Sequence, residues 1–176
     1  MHPSLPMIKS LLAVAAVMVV LGLPARADSD SSAAGTGPLV ITPQTADWTV
    51  KYQKDNNRES YTLLPPAGQN ILLTFSRWPA PGDADQMPGF LDTMAAKFAD
   101  LAARNPKIKL ESPNYTSGEF IGYPFSGKFV EFTIKGGLKQ VLFMFSEGNG
   151  IWNGQYIGPA EGWDDAMEVL KSIKKP

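Results

Sequence analysis

Thiol and imidazole groups, which carry much of enzyme chemistry, are nearly absent from this sequence. It has no cysteine and a single histidine, His2, which lies in an N-terminal segment that we expect to be removed. A Ser-His-Asp or Cys-His hydrolase, the usual zinc and copper sites and thiol redox chemistry are therefore excluded for the mature chain. We predict a protein that is not an enzyme and that uses no cofactor and no metal.

Amides, carboxylates and aromatic rings remain, and they concentrate near the C-terminus. Such groups side by side are typical of carbohydrate or polar-peptide binding, so they form the first candidate site. The alternative is a sheet face that contacts only solvent, which antiparallel sheets commonly have. The members of this set are Glu131, Thr133, Gln140, Trp152, Asn153, Gln155 and Tyr156.

The second candidate site is the loop that begins with Arg77 and Trp78. Pro79 and Pro81 follow, and because proline fixes φ, the loop is expected to be stiff. A rigid loop that carries a tryptophan and a charge is suited to recognising a partner. The alternative is that Trp78 folds back and fills the core.

A pair of carboxylates is the third candidate. A hairpin over residues 118–135 would bring Glu119 and Glu131 together, and two carboxylates are what a glycoside hydrolase uses. This carboxylate-dependent hydrolase is the enzymatic alternative to a binding protein. A small-hydrophobe carrier is a further alternative, and it requires an open cavity between a helix and the sheet.

Residues 1–27 have the features of a secretory signal peptide. Lys9 supplies the positive start, Leu11–Leu23 is an apolar run of the usual length, and Ala25-Arg26-Ala27 is a small-x-small cleavage pattern. The alternative, an uncleaved anchor, is disfavoured because a spanning helix needs about 20 apolar residues. We predict cleavage after Ala27, a periplasmic or secreted protein, and no stable membrane insertion after cleavage.

The mature chain is expected to be mildly acidic and to form one domain. The full sequence has 16 basic and 17 acidic residues. Because Lys9 and Arg26 lie in the predicted signal peptide, its removal leaves the mature chain with a net charge of −3. We predict no nucleic-acid binding, because phosphate contacts need clustered Lys and Arg. Residues 28–43 are rich in small residues and predict a flexible leader, and residues 44–176 predict a single domain.

Alternation of apolar and polar residues predicts strands through most of this domain. One long amphipathic helix interrupts them, Asp85–Arg104, with Pro88 in its first turn and an apolar stripe that includes Leu91 and Phe98. The predicted strands are Trp48–Tyr52, Ser60–Leu64, Asn70–Arg77, Ile108–Glu111, Gly118–Tyr123, Lys128–Lys135, and residues 141–145 and 151–157.

A glycine pair sets the expected register of the first C-terminal hairpin. Gly136-Gly137 is typical of a two-residue turn, because both central positions of the favoured turn need positive φ. That turn places Phe132 opposite Val141 and Val130 opposite Phe143.

A second turn lies within Glu147–Gly150. Centred on Gly148-Asn149, it places Phe145 opposite Trp152 and Val141 opposite Tyr156; a turn centred one residue later is the alternative. One face of the sheet is then aromatic and dry, and the other is mixed. The first candidate site lies on the mixed face through Glu131, Thr133, Asn153 and Gln155.

A C-terminal helix, from about Pro159 to Lys174, is predicted to cover the dry face. Pro159 suits the first helical position, and acidic residues at its start and lysines at its end suit the helix dipole. The helix is expected to pack on the sheet through one apolar stripe. The stripe is Trp163, Met167, Leu170 and Ile173, and its predicted partners are Val130, Phe132, Val141 and Phe143.

The order of these elements resembles the PsbP-like α/β/α sandwich of photosystem II extrinsic proteins and bacterial envelope proteins of the DcrB kind. The resemblance covers roughly Trp48–Lys175 and rests on the helix Asp85–Arg104, the Gly136-Gly137 hairpin and the ending from Glu161-Gly162-Trp163 to Ile173. It implies an accessory or binding role, since most members are not catalytic. No site residue is carried over, because no site motif of the family is matched.

We therefore expect an α+β protein in which two amphipathic helices pack on an antiparallel sheet. Its expected role is that of an exported, non-catalytic binding or accessory protein of the bacterial envelope. The expected partner is another envelope protein or a small ligand.

Overall fold

The computed structural model describes residues 37–43, 48–55, 58–77, 86–147 and 150–174. Within these ranges the chain forms a mostly antiparallel β structure with two helices, which confirms the α+β class. The helices are α1 (Met87–Arg104) and α2 (Gly162–Lys171). The strands are β1 (Val40–Ile41), β2 (Thr49–Asp55), β3 (Arg58–Leu64), β4 (Leu72–Arg77), β5 (Thr116–Glu119), β6 (Ser126–Ile134), β7 (Leu138–Glu147), β8 (Gly150–Pro159) and β9 (Ile173–Lys174).

Seven strands form the main sheet, in the order β2-β3-β4-β8-β7-β6-β5, and every neighbouring pair is antiparallel. The two helices lie on opposite faces of this sheet. Helix α1 packs on Phe132 and Leu142, and we call this side the α1 face. Helix α2 packs on Phe143 and Tyr156, which define the α2 face.

The α2 face holds an aromatic core to which α2 contributes Trp163. The ring of Trp163 lies 5.1 Å from that of Tyr156 and 5.8 Å from that of Phe129. Aromatic pairs at such distances contribute about 0.5–1.5 kcal/mol beyond the burial of their area. As predicted, Trp163 and Leu170 are buried and attach the C-terminal helix to the sheet.

Beneath α1 the core is mainly aliphatic. Leu91, Ala95 and Phe98 recur at helical spacing on the buried side of α1. The ring of Phe98 lies 4.8 Å from that of Phe132. Pro88 occupies the first turn as predicted, where its missing N–H costs no helical hydrogen bond.

The first C-terminal hairpin is shifted by one residue from the predicted register. Ile134 pairs with Leu138 across a three-residue loop, in which Gly136 and Gly137 have φ of 96° and 77°. Two glycines with positive φ fit this loop as well as the expected two-residue turn. Phe132 therefore lies opposite Gln140, and Val130 opposite Leu142.

Because side chains alternate along a strand, this shift moves a whole set of residues to the other face. Val130 and Phe132 pack under α1, and the prediction that they contact the C-terminal helix is wrong. Val141 and Phe143 lie on the α2 face as expected.

The second hairpin has the register predicted for a turn centred on Gly148-Asn149. Phe145 lies opposite Trp152, and Val141 lies opposite Tyr156. Residues 148 and 149 themselves lie outside the described residues.

The C-terminal helix is shorter than predicted. Pro159 ends β8 instead of starting the helix, since it pairs with Leu138 and its carbonyl accepts a 2.6 Å hydrogen bond from the hydroxyl of Tyr156. The helix begins at Gly162 and ends at Lys171, and Ile173 then pairs with Ile41.

The predicted strand Ile108–Glu111 is reduced to a single bridge between Leu110 and Ile134.

In the predicted leader, Leu39 is buried. The N–H of Leu39 donates a hydrogen bond to the hydroxyl of Tyr61, and this hydroxyl donates one to the carbonyl of Leu39. No helix in the described part of the chain is long and apolar enough to cross a membrane.

Candidate functional site

Two aromatic members of the first predicted site, Trp152 and Tyr156, lie in the core of the α2 face. Trp152 stacks on Phe145 with 6.2 Å between ring centroids and is 2% exposed. Tyr156 is fully buried, and burial, followed by the charges of Glu161 and nearby aspartates, raises its pKa. These rings stabilise the fold and do not reach the surface.

The amides of Asn153 and Gln155 lie on the α1 face and are also buried. Asn153 accepts a 3.3 Å hydrogen bond from Ser76. The Oε1 atoms of Gln155 and Gln140 are buried without a hydrogen-bond partner in the described structure. Buried polar atoms usually have partners, so these two glutamines are an uncommon feature of the interior.

Glu131 and Thr133 lie on the α2 face, so the prediction that they share a face with Asn153 and Gln155 is wrong. The one-residue shift of the first hairpin is the reason. Glu131 lies 3.1 Å from Nζ of Lys139, a pairing within the sheet. The described structure therefore does not assemble the mixed set.

The predicted carboxylate pair is also not formed. Glu119 pairs with Lys128 on the α1 face at 2.8 Å, whereas Glu131 lies on the opposite face of the sheet. Two carboxylates on opposite faces cannot act on one glycosidic bond.

Arg77, from the second predicted site, lies at the end of β4 in an ionic cluster around Glu59. Oε2 of Glu59 lies 3.0 Å from Nη1 of Arg77, and Oε1 lies 3.4 Å from Nζ of Lys54 and 3.3 Å from the hydroxyl of Tyr52. Burial alone would raise the pKa of Glu59, but the hydrogen bonds and charges of Arg77 and Lys54 lower it overall. Trp78 lies outside the described residues.

No group of three or more acidic or histidine side chains is placed to hold a metal within the described ranges. Among the described residues, a groove lies between α1 and the sheet.

This groove, which we call the α1–β5 groove, is a cavity of about 350 Å³. Leu91 and Val130 give it an apolar part, while Asp92, Glu119 and Lys128 carry charges. Strand β5 lies beside the first turns of α1, and its small residues Ser117 and Gly118 line the groove together with Glu119. The full lining is Pro88, Leu91, Asp92, Ser117, Gly118, Glu119, Lys128, Phe129 and Val130.

Exposed hydrophobic side chains stand at both ends of β5. Tyr115 precedes the strand and is 36% exposed, and Ile121 follows it and is 84% exposed. The hydroxyl of Tyr115 donates a 3.1 Å hydrogen bond to Oδ1 of Asp92, so one end of β5 is fastened to α1. That hydrogen bond raises the pKa of Tyr115.

Strand β5 is the last strand on its side of the described sheet. The N–H of Phe120 bonds the carbonyl of Gly127 at 3.0 Å, and antiparallel ladders alternate bonded and non-bonded residue pairs. Gly118 therefore bonds β6, while the N–H groups of Ser117 and Glu119 point away from the sheet. The carbonyl of Glu119 accepts from the N–H of Ile121.

Sequence reasoning missed the α1–β5 groove. It placed a strand at Gly118–Tyr123, whereas β5 is Thr116–Glu119 and Ile121 lies in a turn. The run of small residues at Thr116-Ser117-Gly118 is the one local signal of close approach by another element.

Comparison of the sequence with protein-family models and with curated proteins finds no match. The site is therefore interpreted from its geometry alone.

Proposed function

We propose that this protein is an exported, non-catalytic binding protein of the bacterial envelope, and that it holds its ligand in the α1–β5 groove. The observation that carries the proposal is the groove itself, which lies beside the last strand of the described sheet and between two exposed hydrophobic side chains, Tyr115 and Ile121. Concave sites with apolar walls and a few charged groups are typical of ligand binding.

The electrostatics of Glu59 do not suit a general acid. A carboxyl group that acts as a general acid near neutral pH needs a raised pKa. Glu59, the buried carboxylate, has a lowered pKa instead. The carboxylates that line the groove have cationic or hydroxyl partners: Glu119 pairs with Lys128, and Asp92 accepts from Tyr115.

A PsbP-like architecture is part of this proposal. One helix on each face of an antiparallel sheet agrees with such a sandwich, and the accessory role expected from the resemblance agrees with a binding groove. The signal peptide predicted at residues 1–27 supports an envelope location.

A carrier of small hydrophobes is the second candidate, because it requires a cavity between helix and sheet and the α1–β5 groove lies there. Three of its nine lining residues are charged. This composition favours a ligand that is polar or amphipathic over a purely apolar one.

Filling the groove tests the proposal. Ser117→Trp places a large ring on the α1 face at an exposed position, while Thr116→Trp places the same ring on the opposite face of the same strand. The tagged protein and both variants are used to retain proteins from the bacterial envelope. We expect wild type and Thr116→Trp to retain the same specific protein, and Ser117→Trp to lose it.

Thermal unfolding of the three proteins provides the control for folding. Equal retention by folded Ser117→Trp and wild type would contradict a role for the groove. If the groove holds a small molecule, envelope extracts stripped of protein will raise the thermal midpoint of wild type and of Thr116→Trp but not of Ser117→Trp.

A further inference from the structure

We infer that the ligand of the α1–β5 groove is an extended polypeptide segment of another protein, which adds to β5 as an eighth strand of the sheet and places a basic side chain in the groove. This inference rests on the proposed function and names the class of its ligand. It is carried by the direction of the backbone groups of β5, by the exposed side chains at its ends and by the charges of the groove.

Within the described part of the chain, the outer backbone groups of β5 pair with no other strand. The ladder places both the N–H and the carbonyl of Ser117 on the outer edge, together with the N–H of Glu119. An antiparallel partner residue opposite Ser117 exchanges two hydrogen bonds with it. Strand addition at an exposed edge obtains its affinity from such main-chain bonds.

The side chains of an added strand would alternate between the two faces of the sheet. Residues paired across a ladder point to the same face, so the residue opposite Ser117 directs its side chain to the α1 face, where the groove lies. Tyr115 and Ile121 lie beyond the two ends of β5, and apolar side chains of the added segment would cover them.

The charge of the groove specifies the side chain that enters it. Asp92 and Glu119 carry two negative charges and Lys128 one positive charge, so the lining has a net charge of −1. A lysine or arginine opposite Ser117 would neutralise that charge. An acidic side chain would meet Asp92 and be repelled.

Proline at position 117 separates strand addition from other modes of binding. The N–H of Ser117 makes no bond within the sheet, and proline is tolerated at edge positions whose N–H faces outward. Ser117→Pro removes the outward donor and keeps the β5–β6 ladder. Ser117→Ala is the matched control, because it removes the hydroxyl and retains the N–H.

The probe is a displayed library of random peptides, from which binders are selected on the purified protein. The selected peptides are then synthesised, and their dissociation constants are measured by fluorescence anisotropy. We expect extended sequences with a lysine or arginine. Ser117→Pro should weaken their binding about tenfold or more, and Ser117→Ala should change it little. Asp92→Asn should weaken peptides with the basic residue, but not the same peptides with norleucine in its place.

Several outcomes overturn the inference. A library without binders, or binding that Ser117→Pro leaves unchanged, excludes strand addition. If Ser117→Pro leaves binding unchanged but Ser117→Trp abolishes it, the α1–β5 groove remains the ligand site, and only the identification of the ligand as a polypeptide is wrong. A wild-type dimer that Ser117→Pro dissociates, and that selected peptides compete with, would identify the occupant as a second copy of this chain.

Discussion

The two edges of the main sheet differ in length, charge and surroundings. Strand β2, at one edge, has seven residues and carries exposed Lys51, Gln53 and Lys54. Strand β5, at the other edge, has four residues, none of them a lysine or arginine, and lies between exposed Tyr115 and Ile121.

Exposed lysines on an edge strand oppose pairing with another chain. Lysines protect the β2 edge in this way along most of its length. The ion pairs of Lys54 and Arg77 with Glu59 also hold these two basic side chains in place. The β5 edge is short and carries one charged side chain, that of Glu119. Because the α1–β5 groove lies beside it, we interpret β2 as the closed edge and β5 as the receptive one.

Loss of the Trp163 ring from the α2 face should give the largest effect. Trp163→Ala leaves a cavity among Tyr156, Phe143 and Phe129, and a change from tryptophan to alanine in a core costs about 3–5 kcal/mol. Urea denaturation measures the loss. Phe129 lies over β5, so we expect amide exchange to rise more in β5 than in β2.

An unchanged urea midpoint for Trp163→Ala would show that α2 does not pack on the sheet as described. Equal loosening of both edges would remove the link between Trp163 and β5.

A side chain at position 118 should give an intermediate effect at the β5 edge. A Cβ on Gly118 would lie 2.3 Å from Cζ of Phe129, so the ring must move. Gly118→Val should cost about 1–3 kcal/mol, as overpacking does. Ser117→Val, on the exposed side of the same strand, should change stability by less than about 0.5 kcal/mol.

Both unfolding free energies are obtained from urea titrations. If the two valine variants are equally stable, the contact between Phe129 and Gly118 does not restrain β5.

Glu59 provides the corresponding test at the β2 edge, where the expected effect is smallest. Its carboxylate receives three partners, so Glu59→Gln should cost about 1–2 kcal/mol at neutral pH. Asp100→Asn, which breaks the exposed pair with Arg104, is the control and should cost less than about 0.5 kcal/mol.

The pH dependence follows from the lowered pKa of Glu59. A lowered folded-state pKa stabilises the fold above the unfolded value of about 4.3, and this contribution is lost as pH falls through the folded value. Thermal midpoints of wild type and Glu59→Gln should therefore differ at pH 7 and converge below about pH 4. A constant difference across this range would contradict the ionic role of Glu59.

The fold was largely predictable where the local sequence pattern was compatible with only one structure. The long helix followed from Pro88 and the spacing of Leu91 and Phe98, and the strand Leu72–Arg77 was close to its prediction. The register at Gly136-Gly137 was not predictable, because two glycines fit loops of two or three residues. Phe129 and Val130 are both apolar, since both faces of the sheet are covered, so alternation could not decide between the registers.

The candidate site was harder to predict because it depends on tertiary neighbours. Trp152 and Gln155 have the residue types of a binding surface, yet each is buried in the sheet. Ser117 and Gly118 carry no such signal, and their role follows only from the position of β5 beside α1. The exposure of Ile121 depends on a turn that the apolar pattern assigned to a strand.

The most direct test is amide hydrogen exchange, residue by residue, with and without a selected basic peptide. Strand addition at β5 predicts new protection at the N–H groups of Ser117 and Glu119, and none along β2. Protection at β2, or peptide binding that leaves Ser117 and Glu119 unprotected, would contradict the assignment of β5 as the receptive edge.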